Sequence, residues 1–177
     1  MCGICGELRF DATSPDLAVI ERISETLARR GPDHAGTYTD GPIAFGHRRL
    51  AIIDLSASAD QPMVDAALGL ALVFNGTIYN YRELRTELIS MGHTFVSAGD
   101  SEVILKAYAA WGEQCVERFY GMFAFAIWDM RRASLFLARD RFGIKPLYLT
   151  QDGSRLRFAS SLPALLAGGG VDTRLDP

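Results

Sequence analysis

Cys2 stands second in the chain, in Met1-Cys2-Gly3-Ile4-Cys5-Gly6. Removal of Met1, which a small second residue allows, would place a thiol and a free α-amine on one residue. An α-amine titrates near ~8, so part of it is an unprotonated base at neutral pH. That pairing predicts a nucleophile activated by its own N-terminus, with no His or Asp needed. Phe74-Asn75-Gly76-Thr77 supplies a side-chain amide followed by a glycine N–H at a strand end. Two such donors can form an oxyanion hole, though Asn-Gly is also a common hairpin turn. Arg49 leads into an apolar run, and a guanidinium there can hold a carboxylate by two hydrogen bonds. Arg48 beside it reads as a surface ion pair. Asp100 follows Gly99 at a helix start, where it either accepts an ammonium or caps the helix.

Other chemistry competes for the same N-terminus. Cys2-Gly3-Ile4-Cys5 is a C-x-x-C, the spacing of a redox pair or half of a zinc site. A redox C-x-x-C normally opens a helix after a strand, and nothing precedes this one. A zinc site needs two more ligands, while Cys115, His34, His47 and His93 are scattered. Arg139-Asp140-Arg141-Phe142-Gly143-Ile144-Lys145-Pro146 is a dense charged turn that reads as structural or as a contact with a partner domain.

The elements that must position these groups are legible in the periodicity. Residues 4–10 alternate as a strand that would hold the terminus inside a fold. Pro15-Asp16 opens a helix with Leu17, Ile20, Ile23 and Leu27 on one face, stopped by Gly31-Pro32. Strands are expected at 36–38 and 43–45. A further strand at 70–74, apolar throughout and so buried on both faces, is read as ending in an Asn75-Gly76 turn. Helices follow at 81–91, from Asp100-Ser101-Glu102 to Trp111, and at 113–119. Strands at 122–128, 133–138, 147–149 and 156–159 precede a helical turn at 161–166. Strands in antiparallel-looking groups with clustered helices predict an α+β sandwich of two sheets with helices outside.

Length and composition are those of one ordinary globular domain. The chain has 177 residues, 49% apolar and 22% charged. A formal charge of −3 provides no basic footprint for nucleic acid. No apolar run approaches ~20 residues, and no basic-then-apolar leader begins the chain, so neither a membrane span nor a signal peptide is expected. Three cysteines make no disulfide framework, and a reducing cytoplasm is the expected compartment.

Taken together, Met1-Cys2-Gly3-Ile4, Arg30-Gly31-Pro32-Asp33, the run from His47 to Ile52, the run from Asn75 to Asn80, the run from Gly99 to Ile104, the run from Gly121 to Ala126 and the run from Arg139 to Tyr148 resemble the class II glutamine amidotransferases, in their asparagine synthetase branch. The runs from Arg157 to Leu166 and from Gly169 to Thr173 are similar to the N-acetylglutaminylglutamine amidotransferases. The resemblance implies a four-layer αββα fold of the N-terminal nucleophile hydrolase type, and L-glutamine as substrate. It implies Cys2 as nucleophile, Asn75 and Gly76 as oxyanion hole, and Arg49, Ile52, Thr77 and Asp100 around the substrate. Asparagine synthetases usually carry Glu where this chain has Thr77, so weaker glutamine binding is expected. The resemblance implies no metal or cofactor for glutamine hydrolysis. ATP and Mg belong to a pyrophosphatase-type synthetase domain, whose Ser-Gly-Gly-x-Asp-Ser phosphate loop is missing here. Residues 1–167 are accordingly read as the glutaminase domain and 168–177 as a linker toward that partner domain. A homodimer is compatible with this reading, and so is a non-catalytic domain that only docks a synthetase partner.

Overall fold

The computed structural model describes residues 1–174. The last residues of the expected linker, 175–177, lie outside the described residues. In chain order the elements are β1 (Gly3–Arg9), α1 (Leu17–Thr26), β2 (His34–Asp40), β3 (Ile43–Arg49), β4 (Met63–Asp65), β5 (Leu70–Ile78), α2 (Tyr81–Ser90) and α3 (Ser101–Trp111). They continue as β6 (Gly121–Asp129), β7 (Ser134–Arg139), β8 (Tyr148–Gln151), β9 (Arg155–Ala159) and α4 (Leu162–Ala167). The expected helix at 113–119 is a 3-10 helix over Gly112–Arg118.

Two antiparallel sheets form, ordered β2-β3-β1-β9-β8 and β4-β5-β6-β7. Three apolar clusters mark the boundaries between four layers. Cys5, Ile20, Ile23, Leu27, Ala159 and Leu165 lie between the first sheet and helices α1 and α4. Ile4, Phe45, Val73, Ala126 and Phe158 fill the space between the sheets. Leu72, Phe74, Leu88, Ile104 and Phe125 lie between the second sheet and helices α2 and α3. The order is αββα, as expected.

Local sequence accounts for much of this. The Asp16 carboxylate caps α1 by accepting from the Ala18 N–H at 2.9 Å. Ile20 and Ile23 then fall on its buried face at helical spacing. Leu70, Leu72 and Phe74 face the helices while Ala71 and Val73 face the other sheet, so the apolar run is buried on both sides. Strand β1 is interior, flanked by β3 and β9. Beneath it Glu7 and Arg157 form a buried ion pair at 2.6 Å, and Arg157 also donates to the Gly169 carbonyl at 2.7 Å. Removing one partner of such a pair strands a buried charge, typically at ~3–5 kcal/mol.

The Asn75-Gly76 turn is a correction. Both residues lie inside β5, which runs on to Ile78 with Asn75 opposite Ala124 and Gly76 opposite Phe123. The local turn preference of the dipeptide is overridden by the antiparallel ladder that β6 offers along the whole of β5. Glycine is required at 76 for a different reason. A Cβ there would sit 2.2 Å from the Met122 carbonyl oxygen. The two-residue period puts Asn75 on the same face as Ala71 and Val73, toward the first sheet and the N-terminus.

Candidate active site

Residue Cys2 precedes β1, and the pairing of that strand on both edges holds it in place. Its Sγ accepts from the Leu50 N–H at 3.4 Å and lies 3.7 Å from the Leu50 carbonyl oxygen. Its own carbonyl accepts from Arg30 Nε at 3.1 Å. Burial pushes the thiol above its ordinary value, opposed by the Leu50 hydrogen bond, the terminal ammonium and Arg49. A thiol in this setting needs a base to become a nucleophile.

Cys2 opens into a cleft of about 720 Å³, counting its open mouth. All seven residues expected around the substrate line it: Cys2, Arg49, Ile52, Asn75, Gly76, Thr77 and Asp100. These come from the N-terminus, the end of β3, the following loop, β5 and the start of α3. Asn75 is 1% exposed, and its Nδ2 has no hydrogen-bond partner among the described residues. A buried amide donor left unpaired is costly, so it marks a place where a ligand acceptor fits. The neighbouring Phe74 carbonyl meets His47 Nε2 at 3.1 Å. A carbonyl only accepts, so Nε2 carries the proton; burial lowers the His47 pKa to about 4 and keeps the ring neutral.

Asp100 does not cap α3. Its Oδ2 instead accepts from the Ile78 N–H at 2.9 Å, at the end of β5. Burial raises its pKa, against the Ile78 hydrogen bond, so an added cation in the cleft would favour its ionised form. Arg49 is 7% exposed and already committed in part. It donates to Asp60 at 2.6 Å, to the Ser56 carbonyl at 3.0 Å and to the Asp54 carbonyl. Three of the five guanidinium N–H groups are used to shape the loop, and the others remain for a ligand. Arg48 is the surface residue of the pair, bonded to Glu25. The Ile52 side chain is 70% exposed at the rim.

Two lining residues gave no chemical signal in the sequence. Gln61 sits in a small polar loop, yet it is 5% exposed and ties β5 to α3. Its Oε1 accepts from the Phe74 N–H at 2.6 Å and its Nε2 donates to Ser101 Oγ at 3.2 Å. Lys145, hidden in the charged turn, reaches the same cleft. That turn is built on Asp140, whose carboxylate accepts from the N–H groups of Phe123, Ile144 and Lys145. The C-x-x-C does not form a pair. Cys5 points to the helix side of β1, packed with Ile20 and Ile23, and burial pushes its thiol up to about 12. All three cysteines are free, and no cluster of three or more His, Cys, Asp or Glu is placed to hold a metal among the described residues. No helix among them is long and apolar enough to cross a membrane.

Known proteins similar in sequence and fold converge on one family. The profile of a family described as a glutamine amidotransferase domain matches residues 1–177. This chain belongs to that family. Asparagine synthetase [glutamine-hydrolyzing] 3 of Bacillus subtilis is 40% identical over 179 residues, covering 99% of this chain and 29% of the relative. Asparagine synthetase [glutamine-hydrolyzing] 1 of the same organism is 39% identical over 169 residues, covering 94% and 27%. The chain thus spans less than a third of the length of these relatives. Among solved structures, glutamine phosphoribosylpyrophosphate amidotransferase of B. subtilis superposes with a TM-score of 0.79 at 21% identity, over 95% of this chain and 44% of that one. That likeness shows that the two chains share the fold of two packed antiparallel sheets with helices outside.

Proposed function

We propose that this amidotransferase domain hydrolyses the side-chain amide of L-glutamine to glutamate and ammonia through a thioester on Cys2. The observation that carries the reading is the Cys2 thiol in one cleft with an unpaired, buried Asn75 amide. After removal of Met1 the Cys2 α-amine takes the thiol proton, and sulfur attacks the amide carbon. Asn75 Nδ2 and the Gly76 N–H receive the developing oxyanion. The protonated amine gives its proton to the leaving nitrogen as ammonia departs, and water then cleaves the thioester to glutamate. Arg49 holds the α-carboxylate with its uncommitted N–H groups, and Asp100 the α-ammonium. The reaction uses no metal or cofactor.

The relatives' names and greater length support a second part to this reading. The ammonia serves an ATP- and Mg-dependent unit that converts a carboxylate to an amide, in the same longer chain or in a partner chain. The domain stands at residues 1–167, with 168–177 leading toward that unit.

Treatment with 6-diazo-5-oxo-L-norleucine, a glutamine analogue that alkylates nucleophiles, tests the reading. Intact mass should show loss of Met1 and a single adduct that maps to Cys2. Retention of Met1 with no adduct would instead favour a domain that docks a synthetase without catalysis. Thr77 offers a second test, because it lines the cleft as a half-buried neutral residue. Thr77→Glu adds a carboxylate for the substrate ammonium and should lower KM for glutamine by about tenfold, the scale of one charged hydrogen bond. An unchanged or raised KM in steady-state kinetics would sink that assignment.

A further inference from the structure

The chain has two lysines, and both are buried. Lys106 pairs with Asp65 at 2.6 Å. Lys145, 5% exposed, forms no ion pair among the described residues, and the partner of its Nζ is the Met1 sulfur at 3.0 Å. A thioether is a weak acceptor and a poor substitute for a carboxylate. Burying an ammonium without a counter-charge is expensive, and such groups concentrate where a site uses the charge. The lysine is also held rigidly. Its backbone N–H donates to Asp140 Oδ2 at 2.9 Å, the oxygen that also accepts from Phe123 on β6.

The Met1 sulfur is five bonds from the Cys2 nitrogen, a reach of roughly 6 Å by ordinary bond lengths. Lys145 Nζ therefore lies within about 9 Å of that nitrogen, facing the space that Met1 leaves when it is removed. We infer that Lys145 is a positioning residue for the nucleophile: a fixed cation that holds the Cys2 α-amine in its free-base form. The inference rests on the proposed amine-activated mechanism. A cation at that range disfavours protonation of the amine by about one pH unit at the effective dielectric of a protein site. It also opposes the effect of burial on the thiol.

Other charges also face Cys2. Arg30, after α1, donates Nε to the Cys2 carbonyl. Arg49, at the end of β3, is paired with Asp60. Asp54 in the following loop and Asp100 at the start of α3 line the cleft as anions, and both favour a protonated amine. Among the described residues Lys145, from the turn after β7, and Arg30 are the cations of this set with no carboxylate partner; Arg30 is fixed on the Cys2 carbonyl, and Lys145 is the one whose ammonium hydrogen-bonds only to Met1, the residue that is removed.

The test is the pH dependence of glutamate release by Lys145→Met and Lys145→Arg, with Met1 removal verified by intact mass. In Lys145→Met the acid limb of kcat/KM should move up by about one pH unit, so activity at pH ~6 falls about tenfold and converges with wild type near pH ~9. Lys145→Arg should keep the wild-type limb. A uniform loss at every pH, with the limb unmoved, would overturn the inference and leave Lys145 a packing residue. Should Lys145→Met fail to fold, Lys145→Gln carries the same comparison. The rate of Cys2 alkylation by iodoacetamide, followed against pH in the same proteins, should shift in the same direction. It reads the amine and thiol directly, so it decides the inference even if the wild type releases no glutamate, an outcome that would refute the proposed function instead.

Discussion

Replacing Cys2 by alanine abolishes glutamate release while leaving a folded protein. The expected loss in kcat is at least ~10³-fold, equivalent to about 4 kcal/mol of barrier. The nucleophile has no understudy in this cleft. Cys5 lies across β1 with its thiol pushed up to about 12 and its side chain fully buried, and His47 is a neutral ring committed to the Phe74 carbonyl. The fold should survive, because Cys2 lies outside β1 and contributes to none of the three apolar clusters. Alanine is also small enough to keep Met1 removal. The measurement is glutamate release under saturating glutamine, with circular dichroism and a melting curve as controls. Residual turnover above ~1% of wild type would correspond to less than about 3 kcal/mol, too little for a covalent nucleophile.

Replacing Asn75 by alanine lowers kcat about 10²–10³-fold and changes KM by less than about threefold, the pattern of a donor used mainly in the transition state. The structural basis is the unpaired Nδ2 of a residue that is 1% exposed. An amide with no protein partner contributes little to holding the fold, so its removal should leave the melting temperature nearly unchanged or raise it. Structural and catalytic roles therefore separate cleanly here. A large fall in melting temperature with kcat within about fivefold of wild type would make Asn75 a scaffold residue, and the oxyanion would have to be sought elsewhere. Such an outcome would leave family membership untouched.

The sequence was most legible where a property is local. A cysteine in second place, an amide followed by glycine and an arginine leading into an apolar run are readable because residue type and immediate neighbours decide what each can do. The layers were readable for a similar reason. The apolar periods of α1 and β5 specify which faces are buried, and buried faces must find one another. Local preference failed at Asn75-Gly76, read as a turn, and left Asp100 open between capping a helix and receiving an ammonium. Partners distant in the chain overrode the turn and took the Asp100 carboxylate from the cap, since β6 extends β5 through Ile78 and the end of β5 claims that carboxylate.

The assembly of the cleft belongs wholly to tertiary structure. Strand β1 is held by β3 on one side and by β9, some 150 residues away, on the other, and that pairing aims Cys2 at the face on which Asn75 emerges. Gln61 and Lys145 entered the same cleft with no chemical signal of their own. A polar loop residue and one charge in a crowded turn become buried only when distant strands close over them. Sequence by itself determined which groups are present to do chemistry, because covalent identity is local. Tertiary structure decided which of them share a cavity and which are left unpaired, because burial and hydrogen-bond satisfaction depend on the whole fold.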